Sequence, residues 1–153
     1  ACRVGVESTV LSLVGDRPRI LRPGGVTRAQ IERVAGPVKK AELKSRTIES
    51  PGMLASHYAP HTPMLLSKDI PDEYADSSDV GFLLFQAPEK AVSGPCETLS
   101  REGNIEEAAI HLYAALRRLD SLDLRLIVAL RFPEKGIGIA INDRLKKAAH
   151  GAG

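Results

Sequence analysis

Val80-Gly81-Phe82-Leu83-Leu84-Phe85 is an unbroken apolar run, and its reading decides the fold. A strand with one wet face alternates apolar and polar residues, whereas a run without alternation marks a strand covered on both faces, as in parallel sheets. Met64-Leu65-Leu66 and Leu126-Ile127-Val128-Ala129-Leu130 read the same way, and Cys96 to Leu99 predicts a further short strand. Between them Ile105, Ala108, Ala109, Leu112, Leu116 and Leu119 fall on one face of a helix over 104–119, with Asn104 three residues before Glu107 as its cap and Arg117 and Arg118 at its negative end. His111 and Tyr113 lie beside or off that stripe, as boundary or surface residues. Gly136-Ile137-Gly138 opens a last helix whose Ile137, Ile141, Leu145 and Ala148 share a side, with Asp143 and Lys147 as an exposed i,i+4 pair. The Gly-x-Gly is too short for a dinucleotide fingerprint, and a packing turn explains it better. Asp69 to Asp79 and Ala87 to Gly94 read as loops. Strands alternating with helices predict a small α/β unit with a largely parallel sheet.

Upstream the pattern changes. Val4 to Val14 is rich in β-branched residues and predicts a strand; Gly15-Asp16 predicts a tight turn into a second strand over 17–21, making a hairpin. Two strands alone are marginal in water, so the hairpin should join strands supplied from elsewhere. Arg22-Pro23-Gly24-Gly25 then opens a short helix. Thr27 and Gln30 have capping-box spacing, Val26 and Ile31 the spacing of a hydrophobic staple, and Ile31 with Val34 supply the apolar face of the helix before Gly36-Pro37 ends it. Val38 to Glu49 is charged and weakly patterned, an exposed approach to the proline-rich stretch beyond it.

Ser50-Pro51-Gly52-Met53-Leu54-Ala55-Ser56-His57-Tyr58-Ala59-Pro60-His61-Thr62-Pro63 joins the two halves. Three prolines fix backbone angles and bias the residues before them to extended geometry, so this is a stiff connector rather than a Gly/Ser tether. His57 and His61 are four apart, but Pro60 forbids the regular helix that would aim both at one metal, and no metal site is expected.

The composition, 43% hydrophobic and 26% charged over 153 residues, is that of an ordinary globular chain of about one domain. It contains no apolar run long enough for a membrane span, and the start lacks the features of a signal peptide, so the expected compartment is the cytoplasm. Cys2 and Cys96 are isolated and read as free thiols. Residues 1–62 carry ten Lys and Arg against five Asp and Glu, whereas residues 63–153 carry eleven against fourteen. A basic first half suits a phosphate-bearing ligand or nucleic acid, although a solvated basic face is commoner than either; an acidic second half argues against direct RNA binding there.

Glu7-Ser8-Thr9-Val10, Ile20-Leu21-Arg22-Pro23-Gly24-Gly25, Ser50-Pro51-Gly52-Met53 with His57-Tyr58-Ala59-Pro60, and Gly136-Ile137-Gly138-Ile139-Ala140-Ile141-Asn142-Asp143-Arg144-Leu145 together resemble the two-domain YrdC-type L-threonylcarbamoyladenylate synthases. Four motifs in the family's order, spread over essentially the whole chain, make the resemblance specific. It implies the end of a YrdC-like catalytic domain at residues 1–36, a linker with a lid motif at 37–63, and a Rossmann-like accessory domain at 64–150. The fold expected is α/β, a small Rossmann-like C-terminal domain preceded by a β-hairpin and helix from a truncated YrdC-like domain.

The activity implied is formation of threonylcarbamoyl-AMP from L-threonine, bicarbonate and ATP, with Mg as the counter-ion of ATP and no protein-bound cofactor, feeding threonylcarbamoyladenosine modification of tRNA. On the matching positions Ser8 and Thr9 would meet threonine, Arg22 and Tyr58 the nucleotide, and Ser50, Pro51, Gly52, Met53 and His57 would belong to the lid. No residue here is assigned a covalent catalytic role. The resemblance also implies that most of the catalytic domain precedes Ala1, so the polypeptide alone is expected to be inactive. The competing expectation is a stand-alone RNA- or protein-binding module of the tRNA modification machinery. Homo-oligomer formation through the exposed hairpin is a further expectation.

Overall fold

The computed structural model describes residues 5, 6, 8–40 and 59–151. The larger unit is a four-stranded, wholly parallel sheet of β4 (Met64–Ser67), β5 (Val80–Leu84), β6 (Cys96–Thr98) and β7 (Leu126–Leu130), in the order β4-β7-β5-β6. All five residues of β5 are buried, as its unbroken apolar run requires. Leu83, Ile127 and Ala129 face a core shared with α3 (Ile105–Asp120) and α4 (Gly138–Gly151), while Val80, Phe82, Leu84 and Val128 pack on the other side against Ile70, Tyr74 and Val92. This is the Rossmann-like α/β arrangement expected.

Asn104 caps α3 by accepting the Glu107 amide at 2.9 Å, and Ala108, Ala109, Leu112, Ala115, Leu116 and Leu119 are its buried residues. Ile137, Ile141, Leu145 and Ala148 are all buried along α4. A Cβ on Gly138 would lie 2.1 Å from the Pro133 carbonyl oxygen and 2.8 Å from Ile105 Cδ1, so the glycine serves close packing of the turn into α4. Within the predicted acidic loop, Asp72–Ala75 forms a one-turn helix, α2, set off by Pro71 and buried at Ala75. A single turn has no periodicity to read.

The hairpin is present: β1 (Val10–Ser12) pairs antiparallel with β2 (Arg19–Arg22). The structure corrects several details. Ser12 pairs with Arg19, so residues 13–18 form a broad connection instead of a two-residue turn, and Leu13 and Val14 are 72% and 86% exposed. A third strand, β3 (Lys39–Lys40), pairs parallel with β2 within the chain, and Val38 before it is buried. The expected exposed approach therefore begins as part of the sheet. The helix α1 (Arg28–Ala35) has its capping box and ends at Gly36, but none of its residues is buried and Val34 is 91% exposed. Val26 is also exposed, so the expected staple does not bury it. Position on a face is legible from spacing, whereas burial depends on what faces it.

Candidate functional site

The sheet order places a crevice at the carboxyl ends of the parallel strands. β5 is followed by its neighbour β6, whereas β7 feeds α4, which packs beside β4. Connections leaving in opposite directions open such a crevice. A cleft of about 790 Å³ lies there, lined by Phe85, Asn104, Pro133 and Ile137 on one side and by Gly25, Thr27 and Gln30 at the start of α1 on the other. It separates the first unit from the second.

Three residues expected at a ligand site, Ser8, Thr9 and Arg22, come together at the open end of the hairpin. Val10 pairs with Arg22, so the two residues before Val10 run beside the turn after Arg22. Arg22 Nη2 donates to the Ser8 carbonyl oxygen at 3.1 Å. Thr9 Oγ1 donates to the Val26 carbonyl oxygen at 2.6 Å, which fastens the strand to the far end of the Arg22-Pro23-Gly24-Gly25 turn. Ser8 is exposed, Thr9 and Arg22 are half-buried, and Gly24 is buried. The closure gathers Ser8, Thr9 and the Arg22 guanidinium on one end of a small sheet, and a guanidinium is a group suited to an anionic ligand.

The next layer fixes α1. Thr27 Oγ1 accepts the Gln30 amide, and Gln30 Oε1 accepts the Thr27 amide at 2.8 Å. Glu32 accepts from Arg28 Nε at 2.7 Å and from the Val38 amide at 3.2 Å, joining the helix to β3. The Arg28 hydrogen bond, followed by that of Val38, holds the Glu32 carboxyl below its ordinary range.

The lid residues Ser50, Pro51, Gly52, Met53, His57 and Tyr58 lie outside the described residues. The chain resumes at Ala59 and is tied down at once. The Thr62 amide donates to Asp120 Oδ1 at 2.8 Å, at the last residue of α3. Ala59 and Pro60 line a small hollow with Tyr113, Leu116, Arg117 and Asp120. Burial works to raise the Asp120 carboxyl, but donation from the Thr62 and His61 backbone outweighs it and leaves the group below its usual value. Among the described residues no three His, Cys, Asp or Glu side chains gather as a metal-ligand set.

Sequence reasoning missed the polar contacts that join distant segments. Asp120 follows the helical stripe and carries no signal of its own, and the spacing of Asp143 and Lys147 reads as an exposed i,i+4 pair. In the structure Asp143 Oδ2 also accepts from Arg144 Nη1 at 2.6 Å, and Arg144 is only 6% exposed. A buried arginine on an otherwise apolar side of a helix leaves no periodic signal; it looks like any charged residue. Asn142 is similar: buried, it accepts the Phe132 amide at 2.8 Å and donates to the Phe132 carbonyl at 2.9 Å, closing the loop after β7 onto α4.

Comparison with known proteins gives consistent matches. Residues 26–150 match the family model described as threonylcarbamoyl-AMP synthase, C-terminal domain. A threonylcarbamoyl-AMP synthase of Bacillus subtilis is 39% identical over 160 residues, covering 97% of this chain and 46% of the relative. One of Pyrococcus abyssi is 34% identical over 158 residues, covering 96% and 46%. The crystal structure of P. abyssi Sua5 complexed with L-threonine superposes with a TM-score of 0.81 at 30% identity, covering 98% of this chain and 47% of that one. A P. abyssi Sua5 variant with an adjacent histidine and tyrosine replaced by alanine superposes with a TM-score of 0.78 at 28% identity, covering 98% and 46%. The chain thus spans a little under half the length of the relatives it matches.

Proposed function

We propose, since the chain belongs to the threonylcarbamoyl-AMP synthase C-terminal domain family, that it is part of an enzyme forming threonylcarbamoyl-AMP and pyrophosphate from L-threonine, bicarbonate and ATP, for threonylcarbamoyladenosine modification of tRNA. The observation that carries the reading is the closure of Ser8, Thr9 and Arg22 onto one turn, in a chain similar over its length to a protein solved with L-threonine. Ser8 and Thr9 are the threonine-side contacts, and Arg22 faces the nucleotide, which arrives with Mg as its counter-ion. The threonine nitrogen takes up the carbon of bicarbonate with loss of water. A carbamate oxygen then attacks the α-phosphorus of ATP, and the bond to the β-phosphate breaks to release pyrophosphate. A fixed guanidinium favours the charge on the transferred group, so positioning and electrostatics carry the step without a protein nucleophile.

The connector is the lid in this reading. Tyr58 closes over the nucleotide, His57 accompanies it, and Ser50, Pro51, Gly52 and Met53 form the stiff approach. Two observations support this: the connector's end is anchored on α3 through Thr62 and Asp120, and the pair His57-Tyr58 has the residue types replaced in the P. abyssi variant. Excluding water matters because a carbamate exposed to it reverts to amine and carbon dioxide. The cytoplasm is the compartment that fits these substrates. The edge strand β1 supports pairing between copies through the hairpin.

The test is pyrophosphate release that depends on threonine. The 153-residue chain alone should give none, and a longer synthase polypeptide containing it should be active, falling about a hundredfold on Arg22→Ala. Equal rates with and without Arg22 would overturn its role. Protection of residues 41–58 from protease by short RNA, with none by ATP and threonine, would overturn the synthase reading in favour of a binding module.

A further inference from the structure

Arg144 is a charged side chain in α4 that is almost completely buried, 6% exposed, and it reaches the other unit of the molecule. Its Nη1 donates to Asp143 Oδ2 at 2.6 Å, and its Nη2 donates to the carbonyl oxygen of Pro23 at 3.1 Å. Lys147 Nζ donates to the same Asp143 oxygen at 2.9 Å. Burying a guanidinium is costly unless its hydrogens find partners. Here one of those partners is a backbone carbonyl 121 positions away in sequence, directly after Arg22.

We propose that Arg144 is a positioning residue for Arg22: through its guanidinium, α4 holds the Pro23 carbonyl and so fixes the stiff Arg22-Pro23 dipeptide that carries the nucleotide-facing arginine. The inference rests on the reading of Arg22 as a nucleotide contact. The mechanical part comes from proline chemistry. The ring locks the Pro23 φ angle and restricts Arg22 to extended geometry, so the Pro23 carbonyl and the Arg22 backbone move almost as one body. Beyond Pro23 come Gly24 and Gly25, which offer the least resistance to rotation of any residues. Arg22 is itself held to the Ser8 carbonyl at 3.1 Å. Arg144 therefore pins the one side of the dipeptide that its sequence leaves loose.

An arginine suits the task because its planar fork serves a carboxylate and a carbonyl in different directions at once. Lysine keeps the charge but concentrates its donors at one point on a shorter reach. The acidic second unit thereby contributes to the basic first unit by aligning a residue of it, without touching substrate.

Selective labelling reads the tie directly. With ¹³C at proline carbonyls and ¹⁵N at glycine amides, only Pro23-Gly24 and Pro51-Gly52 give one-bond carbonyl-to-amide signals, because they are the two Pro-Gly pairs of the sequence. Arg144→Lys and Arg144→Gln in the 153-residue chain should shift the Pro23-Gly24 signal and leave Pro51-Gly52 in place. In the longer synthase polypeptide the same substitutions should lower kcat/KM for ATP about tenfold, with a fall in kcat included, for the loss of one charge-assisted hydrogen bond that aligns Arg22, while KM for threonine changes little. Should Arg144→Gln fail to fold, Asp143→Asn, which loosens the guanidinium without removing it, carries both readouts. A Pro23-Gly24 signal that stays in place overturns the tie, whatever the ligand does. A signal that moves while kcat/KM for ATP is unchanged overturns the positioning role. If the unsubstituted synthase makes no use of ATP, the functional reading fails, and the labelling arm still decides whether α4 holds the turn.

Discussion

The two units of this chain use the same elements to opposite ends. In the second, β5 is buried along its whole length and α3 buries six residues, so strands and helices make a core among themselves. In the first, β1 has no buried residue and α1 has none at all; its order rests on side-chain-to-backbone bonds such as Thr9 to Val26, Gln30 to Thr27 and Glu32 to Val38. One unit is built around an extensive core, whereas the other buries only Val6, Ile20, Gly24 and Val38 among its described residues and is completed by polar closure around a turn. Burial fixes a scaffold, whereas a ligand site needs polar groups left within reach of solvent. The difference places the stability of the molecule in one unit and its candidate chemistry in the other.

The comparison breaks most visibly at Phe82. Its side chain is fully buried between the sheet and Ile70, Tyr74 and Val92, and Phe82→Ala should cost about 3–5 kcal/mol in urea unfolding. Val34→Ala, the removal of a 91% exposed side chain from α1, should stay within about 0.5 kcal/mol. Similar losses from the two substitutions would show that the first unit has a core of its own.

A smaller effect separates two glycines. Gly138→Ala would push a Cβ to 2.1 Å from the Pro133 carbonyl oxygen, and the backbone must shift at a cost of about 1–3 kcal/mol. Gly15 in the hairpin connection has φ +106 and open space around it, so Gly15→Ala meets only the backbone strain of that conformation, about 1 kcal/mol. Thermal unfolding of both variants measures the contrast. A Gly15 variant as damaged as Gly138→Ala would mean that the broad turn is packed against something.

Legibility in the sequence divides along the same line. The apolar run at 80–85, the helical stripe at 105–119 and the side shared by Ile137, Ile141, Leu145 and Ala148 are periodic signals, and periodicity is what a buried core writes into a chain. In the first unit, patterning found the hairpin and the Thr27–Gln30 capping box, because turn and cap chemistry is local. It did not foresee that Val34 and Val26, on an apolar face and a staple position by spacing, stay exposed, nor that Lys39–Lys40 make a strand, which they do only because β2 lies alongside. Ser8 and Arg22 came from resemblance of motifs; their contact, like that of Arg144 with Pro23, joins residues remote in sequence and has no period to reveal it.

The smallest predicted effect lies where the connector rejoins the second unit. Asp120 accepts the Thr62 amide at 2.8 Å, and its carboxyl is held below the ordinary aspartate range, burial opposing and the Thr62 and His61 backbone donors prevailing. A carboxyl with a depressed folded-state pKa contributes stability that is complete above its unfolded value and is lost as pH falls through the folded value. The wild-type chain should therefore lose stability from about pH 4 downward. Asp120→Asn keeps an oxygen for the Thr62 amide, so at neutral pH it should cost no more than about 0.5 kcal/mol, while its acid limb should be shallower than the wild type's. Glu32 gives the matching control in the first unit: its carboxyl is also lowered, by Arg28 first and then Val38, but its partners tie only α1 to the start of β3. Glu32→Gln should leave the acid limb of global unfolding as it is and loosen only the junction of α1 and β3, which amide exchange at Val38 would report. An acid limb governed by Glu32 and indifferent to Asp120 would reverse the comparison, making the polar unit the one on which global stability depends.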